Sequence, residues 1–391
     1  MRYLSAQYVF TNAGPPLKRA LVIADDDGTI RSVEDTNGNL PEKGSLEFFN
    51  GIIIPGFVNC HCHLELSHMK GMIAKGSGLP GFLKEIRLLR ESDEASVVSA
   101  AETADAFMWN EGVVLCADIC NNHSTFSLKK KSRIKYVNLL EVFGIDPDKA
   151  LKRMDEVLEL SQMADLQGLT YWMVPHTLYS MSLPLLSLLK MRTSSNRVTS
   201  IHFMESVAEE EFLRYKRGPI LESYKETGLA TGLLQTVPDP VSGIIEWITP
   251  SGNLILVHNT FADRITVNSV RKRENAFFCL CPNSNLFIEN KLPPLEVLVE
   301  EKCDIVIGTD SLASNSGLSI LNELRTIQQF FPSIKLEELI KWATLNGARA
   351  LGESTGFGSI SPGTKPGLLL IEDIDLQNMK LLPESRVRFL C

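Results

Sequence analysis

Short strand-like runs occupy the first fifty positions of the chain, and they predict β-strands instead of helices. Turn-forming residues such as Asp25 and Gly28 separate the runs, and no apolar stripe of helical period occurs among them. The runs lie at 7–11, 19–23, 29–33 and 46–48. The beginning of the chain is therefore predicted to be all-β.

From residue 52 onward, apolar strand-like runs alternate with amphipathic helical segments. The segment 95–110, for example, places Val97, Ala101, Ala104 and Met108 on one helical face. The strand-like runs lie at 51–58, 113–119, 134–142, 169–174, 198–203, 254–257, 276–280 and 304–307. Eight strand–helix units over roughly 300 residues predict an α/β fold, a closed (β/α)8 TIM barrel with all strand carboxyl ends on one face. The alternative, an open doubly wound sheet, would need a glycine-rich phosphate loop, which the sequence lacks.

Two segments lie outside this alternation. Residues 218–250 contain four prolines and are interpreted either as an excursion that faces the substrate or as a plain surface insertion. The end of the chain, from Gly352, is rich in glycine and proline, and its strand-like runs at 368–371 and 387–390 would pair with the N-terminal strands. The predicted domains are a small β-sandwich formed by both chain ends (1–54 plus 353–391) and a catalytic barrel (55–352).

The composition describes an ordinary globular protein with an acidic surface. The chain has 391 residues, of which 44% are apolar, a formal net charge of −8 and a pI near 5.5. Nucleic-acid phosphates and anionic membranes both repel an acidic surface, so we expect neither as a partner. A small-molecule substrate fits this charge better.

Cysteine usage and the lack of a targeting pattern favour a cytoplasmic protein. Eight cysteines in a chain of this size, several of them within apolar strand-like runs, are expected to stay reduced. Residues 1–10 contain no basic patch followed by an apolar segment, and no apolar run approaches the about 18 residues that span a membrane. We therefore expect neither secretion nor membrane insertion.

Histidines and acidic residues fall at the carboxyl ends of the predicted barrel strands. His61 and His63 end the first strand two positions apart, so an extended backbone directs both side chains to one face. The others are His176 after the fourth strand, His202 and Glu205 after the fifth, His258 after the sixth and Asp310 after the eighth. Because these strand ends meet at one rim of a barrel, we expect the side chains to converge there.

Three imidazoles and one carboxylate match the ligand preferences of Zn²⁺ and Fe²⁺. We predict that one divalent metal ion is bound, with zinc as the first choice and iron as the alternative. The predicted ligands are His61, His63, His202 and Asp310.

The remaining polar residues at the strand ends are assigned by their chemistry. Glu205 and His258, together with Asp310, are predicted to transfer protons in catalysis. The predicted substrate contacts are His176, Glu65, Glu141 and Asn285, whereas His68 and His123 are expected to pack or to lie at the rim.

Two other kinds of metal site are excluded by missing residues. The segment from His63 to Glu65 matches the H-x-E half of the cytidine-deaminase zinc signature, but no P-C-x-x-C follows it. A two-metal barrel hydrolase usually carries a bridging lysine after the fourth strand, and residues 169–180 contain none. A single metal ion is therefore predicted.

These motifs resemble the amidohydrolase superfamily over nearly the whole chain. They are P-G-F-V-N-C-H-C-H, P-H-T-L-Y-S-M-S, I-H-F-M-E-S, L-V-H-N, C-P-N-S-N and G-T-D-S-L-A-S-N. The resemblance lies in the branch of guanine and adenosine-type deaminases and triazine chlorohydrolases, and H-L-E-L-S-H with G-L-P-G-F-L is most similar to aminofutalosine-deaminase-type hydrolases. Two positions depart from the branch: Asn283 replaces a basic residue, and Leu83 lies near an expected acid.

The resemblance implies a metal-dependent hydrolase that acts on carbon–nitrogen bonds other than peptide bonds. It would deaminate a purine, a nucleoside such as aminofutalosine, or a related ring by metal-hydroxide attack. The alternatives are a hydrolase of cyclic amides or halogenated triazines and, in a different class, a non-catalytic barrel scaffold. A homodimer is the family expectation.

Overall fold

A computed structural model describes residues 1–42, 44–229 and 231–391. Its strands divide into one mixed sheet, built from both chain ends, and two parallel sheets built from the middle of the chain. The strands are β1 (Arg2–Val9), β2 (Leu17–Lys18), β3 (Leu21–Ala24), β4 (Ile30–Glu34), β5 (Leu46–Pro55), β6 (Phe57–Cys62), β7 (Val113–Cys120), β8 (Lys135–Val142), β9 (Tyr171–Pro175), β10 (Val198–Phe203), β11 (Asn253–His258), β12 (Ala276–Leu280), β13 (Asp304–Ile307), β14 (Leu368–Asp375) and β15 (Lys380–Phe389).

The helices lie mainly between the parallel strands. They are α1 (Gly78–Leu89), α2 (Glu94–Asn110), α3 (Phe126–Lys131), α4 (Ala150–Gln167), α5 (Leu183–Thr193), α6 (Val207–Tyr215), α7 (Pro219–Glu226), α8 (Pro240–Trp247), α9 (Arg264–Arg271), α10 (Pro282–Ile288), α11 (Leu295–Glu300), α12 (Ile320–Phe330), α13 (Leu336–Lys341) and α14 (Gly347–Ala350). Within the described ranges, none of the helices has the length and apolar character needed to cross a membrane.

The two parallel sheets together form a barrel. Strands β6 to β9 and β10 to β13 are each paired in sequence order. At one junction between the two sheets, the backbone N–H of His202 donates to the carbonyl oxygen of His176 at 3.0 Å. At the other junction, the backbone N–H groups of Thr309 and Asp310 both donate to the carbonyl oxygen of His61 at 3.0 Å. The eight strands therefore surround one interior, and the predicted (β/α)8 barrel is confirmed.

The first predicted strand, 51–58, is corrected to parts of two strands. β5 ends at Pro55 in the mixed sheet, and β6 begins the barrel at Phe57. A Cβ atom at Gly56 would lie 2.5 Å from the Val114 side chain, so only glycine fits where the chain passes from one sheet to the other. Both strands are buried on both faces here, which is why the apolar pattern runs on without a break.

The mixed sheet joins the beginning and the end of the chain. Its order is β15-β14-β5-β1-β3-β4, with β2 paired to β1. β14 runs antiparallel to β5, with Leu370 opposite Ile53, and a small core that includes Leu4 and Val22 packs on it. The division into domains at residues 54 and 353 stays a prediction.

The described part of residues 218–250 contains two α-helices and a short 3-10 helix, and two of the four prolines begin the α-helices. Pro219 and Pro240 stand at the first positions of α7 and α8. A missing N–H is harmless at that position, because the first N–H groups of a helix have no intrahelical partner. The Asp239 side chain caps α8 by accepting the N–H groups of Val241 and Ser242.

Candidate active site

Three of the four predicted metal ligands bring their ligand atoms to a common point at the barrel rim. His61 Nε2 and His63 Nε2 lie 3.2 Å apart, and Asp310 Oδ1 lies 3.5 Å from each of them. An ion bound tetrahedrally at about 2.0–2.1 Å holds neighbouring ligand atoms about 3.3 Å apart. His202 completes the group, since its ligand atom lies within 4.8 Å of those of His61 and His63. We call His61, His63, His202 and Asp310 the ligand cluster.

Strand geometry explains why these residues meet. His61 lies in β6 and His63 directly after it, so their spacing of two places both imidazoles on one side. Asn59, two residues earlier, fixes the junction with β13: its amide donates to Thr309 Oγ1 at 2.8 Å, and its Oδ1 accepts the Thr309 N–H at 3.2 Å. This link holds Asp310 next to the histidine pair.

Neighbouring hydroxyl groups orient the Asp310 carboxylate. Ser284 and Ser314 each donate a hydrogen bond to Asp310 Oδ2 at 2.6 Å, which leaves Oδ1 facing the histidines. Burial opposes ionisation of Asp310, but the hydrogen bond from His61 and the proximity of His63 hold its pKa well below the ordinary value. The carboxylate is therefore anionic, as a metal ligand must be.

Burial favours the neutral form of two histidines of the ligand cluster, His63 and His202. Burial lowers the pKa of His63 to about 3, with a further contribution from His61, and lowers the pKa of His202 well below its ordinary value. His202 Nδ1 lies 3.0 Å from the carbonyl oxygen of His176, so Nδ1 donates and Nε2 keeps its lone pair. Neutral imidazoles and an anionic carboxylate are the forms that bind a divalent metal, so the residues present fit such an ion.

Glu205 and His258 form a pair beside the ligand cluster. Glu205 Oε1 lies 3.5 Å from His258 Nε2. Burial raises the pKa of Glu205 well above its ordinary value, and repulsion from Asp310 adds to this, so both effects favour the protonated carboxyl group. Burial lowers the pKa of His258 to about 3. The pair thus places an acid with a raised pKa next to a neutral imidazole.

Asn285 supports His258 from behind and does not line the cavity. Its amide nitrogen lies 3.4 Å from His258 Nδ1 and donates to Thr260 Oγ1 at 2.6 Å. Because the amide donates to Nδ1, the His258 proton sits on Nε2, facing Glu205. The structure therefore places Asn285 behind His258 and outside the lining of the cavity, and its predicted contact with the substrate stays a prediction.

Glu209 is a buried acid that the sequence analysis did not select. Its Oε2 accepts the backbone N–H of Glu205 at 3.2 Å, and burial raises its pKa to about 8. It lies on the buried face of α6, one turn after Glu205, where a glutamate is usually solvent-exposed. The i, i+4 spacing from Glu205 is a weak signal and common on helices.

Two further acids, Glu65 and Glu141, are joined by Asn121 at the ends of three neighbouring strands. The Asn121 backbone N–H donates to Glu65 Oε2 and its side-chain amide donates to Glu141 Oε2, both at 3.1 Å. Burial raises the pKa of each carboxyl group to about 7. We call Glu65, Asn121 and Glu141 the carboxyl bridge.

His176 lies between the ligand cluster and the carboxyl bridge. Its ring centroid is 5.0 Å from that of His202, and its Nδ1 lies 3.0 Å from Ser180 Oγ. With Glu141 and His202 it forms a second group of ligand-type atoms within 4.8 Å of one another. Burial lowers the pKa of His176 to about 4, so the ring is neutral.

Most of these groups open into one cavity of about 240 Å³, whose lining does not include His61, Glu209 or Asn285. The predicted residues that line it are His63, His176, His202, Glu65, Glu141, Glu205, His258 and Asp310. The helices α1 and α7 form its outer wall with Leu79, Phe82, Leu83, Ile86, Ile220 and Tyr224. Two polar contacts link α1 to α7. An Arg87 nitrogen lies 2.5 Å from Ser223 Oγ, and Lys84 forms an ion pair with Glu226 at 3.4 Å.

His68 and His123 do not line this cavity. The His68 ring nitrogens lie 3.1 Å from the carbonyl oxygens of Glu65 and Arg90, so the side chain ties α1 to the segment after β6. His123 is exposed after β7. Both placements agree with packing or rim roles.

The chain is similar to a known protein family and to known proteins. The model of the amidohydrolase family matches residues 52–387. An adenosine deaminase from Helicobacter pylori is 27% identical over 316 residues, which cover 79% of this chain and 76% of the relative.

Two solved structures are similar over almost the entire chain. One is the aminofutalosine deaminase of Helicobacter pylori in complex with methylthio-coformycin, with a TM-score of 0.78 and 24% identity, covering 96% of this chain and 93% of that one. The other is an adenosine deaminase from Xanthomonas campestris with bound zinc. It has a TM-score of 0.72 and 20% identity, and the match covers 97% of this chain and 86% of that one. At these identities the two structures show a shared fold.

Proposed function

Because the chain belongs to the amidohydrolase family, as its motifs predicted, we propose that it is a metal-dependent hydrolase that deaminates an aminated heterocycle. Nucleosides with a 6-aminopurine ring are the first candidates, since relatives named adenosine and aminofutalosine deaminases share most of its length. The observation that carries the proposal is the pair of Glu205 and His258, whose Oε1 and Nε2 atoms lie 3.5 Å apart beside the ligand cluster. A homodimer and a cytoplasmic location stay predictions.

We propose that His61, His63, His202 and Asp310 hold one divalent ion. Zinc is the first choice, because three neutral imidazoles with one carboxylate suit it and a zinc-bound adenosine deaminase shares the fold, and iron is the alternative. When bound, such an ion lowers the pKa of water from 15.7 to about 7 and so supplies the nucleophile at neutral pH.

The chain's own residues move the protons of the reaction. Asp310 accepts a proton from the attacking water, and Glu205 gives its proton to the ring nitrogen next to the attacked carbon. His258, with its proton on Nε2, donates a hydrogen bond to the oxygen that joins the ring. The carbon–nitrogen bond to the amino group then breaks, and Asp310 returns its proton to the departing nitrogen. As the ring carbonyl forms, the hydroxyl proton that came with the water passes to Glu205 and restores its carboxyl group, and ammonia leaves.

A panel of substrates tests the proposal. The zinc-loaded and iron-loaded proteins are incubated with adenosine, 5-methylthioadenosine, aminofutalosine, guanine, a cyclic amide and a chlorotriazine. Ammonia release from an aminopurine compound is expected. Chloride release from the triazine without ammonia from any compound contradicts deamination and favours the dechlorinating alternative.

Metal analysis tests the non-catalytic scaffold as the alternative. A complete and correctly spaced ligand cluster supports an enzyme, since a barrel without catalysis has no need to keep all four ligands. We expect about one zinc or iron per chain in the purified protein. A metal-free protein that gains neither metal nor activity on adding these ions contradicts the proposal.

A further inference from the structure

Glu209 is a buried acid that has no role in the proton transfers described above. Its side chain is 0% exposed and does not line the cavity, so it can influence a reaction there only through another residue. Its Oε2 accepts the backbone N–H of Glu205, whereas its Oε1 has no hydrogen-bond partner among the described residues. An apolar side chain would be less costly to bury at this position, which points to a specific use of the acid.

The peptide group between Met204 and Glu205 is held at both of its ends. The Met204 carbonyl oxygen accepts the backbone N–H of Phe261 at 2.8 Å, and the Glu205 N–H donates to Glu209 Oε2 at 3.2 Å. Phe261 lies three residues after His258, so the first bond connects this peptide group with the segment that follows His258. Because a peptide group is planar, its rotation would change ψ of Met204 and φ of Glu205 and would turn the Glu205 side chain.

The backbone before Glu205 needs such support. Met204 has a φ angle of 51°, in the left-handed region that favours glycine. A residue with a side chain stays in this conformation only where its surroundings enforce it. The Phe261 N–H supplies one such contact, and Glu209 supplies a second one from α6.

The contact of Glu209 differs from the usual arrangement at the beginning of a helix. Ser206 caps α6, and its side chain accepts the Ala208 N–H at 3.3 Å. In a capping box, the acid at the third helical position accepts the N–H of the capping residue itself. Glu209 occupies that third position, but its Oε2 accepts the N–H of Glu205, one residue before the cap.

We propose that Glu209 is a positioning residue, which holds the peptide group between Met204 and Glu205 and so directs the Glu205 carboxyl group towards the reacting ring. The inference rests on the proposed function in one respect, since Glu205 is the proton donor of that reaction. The role requires an acceptor oxygen at the end of the Glu209 side chain, and a glutamine offers one as well.

Three variants separate the acceptor from the side chain that carries it. Glu209→Gln keeps an acceptor oxygen for the Glu205 N–H, whereas Glu209→Met keeps a long unbranched side chain and removes the acceptor. Asp239→Ala is the matched control, because it removes the acceptor for the Val241 and Ser242 N–H groups at the beginning of α8, and Asp239 does not line the cavity. If Glu209→Met does not fold, Glu209→Asp takes its place, since it withdraws the acceptor by one methylene group.

Steady-state ammonia release is measured on the zinc-loaded proteins in two backgrounds, wild type and Glu205→Gln. In the wild-type background we expect Glu209→Met to lower kcat by about 10- to 100-fold and to change KM by less than about twofold, because a misdirected proton donor slows the reaction without weakening binding. Glu209→Gln and Asp239→Ala should stay within about threefold of the wild-type kcat. In the Glu205→Gln background, Glu209→Met should cause little further loss, since a positioning residue acts only through Glu205.

Crystal structures of the same zinc-loaded proteins give a readout that does not depend on turnover. The distance from Glu205 Oε1 to His258 Nε2 is 3.5 Å. We expect this distance to be kept in Glu209→Gln and Asp239→Ala and to change by about 1 Å or more in Glu209→Met.

The two readouts separate this inference from the proposed function. A changed distance together with a loss of kcat that is absent from the Glu205→Gln background supports the inference. An unchanged distance or an unchanged kcat in Glu209→Met, or an equal loss of kcat in both backgrounds, overturns the inference and leaves deamination standing. If no compound releases ammonia in the wild type, the proposed function fails, and the distance between Glu205 and His258 alone decides the inference.

Discussion

The ligand cluster and the carboxyl bridge border one cavity but differ in how their carboxylate oxygens are satisfied, although His61 Nδ1 in the ligand cluster is also buried without a partner among the described residues. In the ligand cluster, two hydroxyl groups hold Asp310 Oδ2 and a backbone carbonyl holds His202 Nδ1. In the carboxyl bridge, Glu65 and Glu141 each keep one buried oxygen without a partner. The protein therefore fixes Asp310 and His202 by internal hydrogen bonds, whereas each acid of the carboxyl bridge is fixed through one oxygen only.

The backbone shows the same contrast. Asp310 and His258 have positive φ angles of 56° and 75°, and so does Met204, just before Glu205, at 51°. Such conformations cost about 1–3 kcal/mol each and persist only where the surroundings enforce them. Glu65 and Glu141 show no such angle. Positive φ angles thus occur at or beside three residues assigned to the reaction, although most positive-φ residues lie elsewhere in the described chain.

The largest expected effect concerns proton transfer at the ligand cluster. Glu205→Gln removes the proton donor and keeps the shape of the side chain, so kcat is expected to fall by about 10²- to 10⁴-fold while metal content stays the same. Steady-state ammonia release and metal analysis measure the two quantities. Glu246→Gln, on the exposed face of α8, is the matched control with unchanged kcat. An unaltered kcat in Glu205→Gln would remove this residue from the mechanism.

The second prediction concerns the support beneath the carboxyl bridge. Lys129 and Asp118 form a fully buried ion pair, and Asp118 Oδ1 accepts the backbone N–H of Leu64 at 2.7 Å, next to Glu65. Burial alone would lower the pKa of Lys129, but Asp118 and Cys120 raise it above its ordinary value. Lys129→Met leaves Asp118 charged and unpaired, so the free energy of unfolding should fall by about 3–5 kcal/mol.

Urea unfolding of Lys129→Met measures this loss. The double variant Asp118→Asn with Lys129→Met removes both charges and keeps an acceptor for Leu64, so most of the lost stability should return. We expect the metal content of the folded protein to stay unchanged, since the pair of Lys129 and Asp118 lies beneath the carboxyl bridge. A loss of unfolding free energy below about 1 kcal/mol in the single variant would show that this buried pair contributes no more than an exposed surface ion pair.

The ligand cluster could be predicted from the sequence because two simple rules place it. His61 and His63 share a face through the two-residue period of a strand, and His202 and Asp310 follow apolar runs whose ends meet at one barrel rim. No distances are needed for that conclusion. The same rules selected Glu65 and Glu141 as residues near the cavity, without their link through Asn121.

Other features depend on contacts between distant segments and could not be predicted. Lys129 belongs to a run of three lysines, which normally indicates a solvated surface, yet its side chain is buried with Asp118. The apolar residues of α1, such as Phe82 and Leu83, look like ordinary core residues. Only the position of α1 against α7 shows that they face the cavity.

Glu323 separates the effect of burial from that of a missing partner, and this is the third prediction. Unlike the carboxyl bridge, both of its oxygens are satisfied, by the N–H of Asn283 at 2.9 Å and the amide of Asn315 at 2.8 Å. Burial nevertheless raises its pKa from 4.5 to about 8. Between these two values the folded protein holds a proton that the unfolded chain has lost, so stability falls as the pH rises.

The slope contributed by Glu323 should approach about 1.4 kcal/mol per pH unit between pH 5 and 8. Urea unfolding at several pH values compares the wild type with Glu323→Gln, which has no proton to lose. The difference in unfolding free energy should grow in favour of the variant as the pH rises. Parallel pH profiles of the wild type and Glu323→Gln would mean that the two hydrogen bonds fully offset the effect of burial on the pKa of Glu323.

The smallest effect is expected at the outer wall of the cavity, where α1 meets α7. Lys84 and Glu226 are 60% and 64% exposed, so their ion pair contributes only about 0.2–1 kcal/mol and is weakened by salt. Lys84→Ala should raise KM by up to about fivefold at low salt, because the wall is held less firmly, and kcat should not change. Lys152→Ala, which removes a similar exposed pair with Glu156 on α4, is the matched control with unchanged KM. A fall in kcat would show that α1 and α7 also position the reacting groups, and the contrast between the ligand cluster and the outer wall of the cavity would then be less sharp.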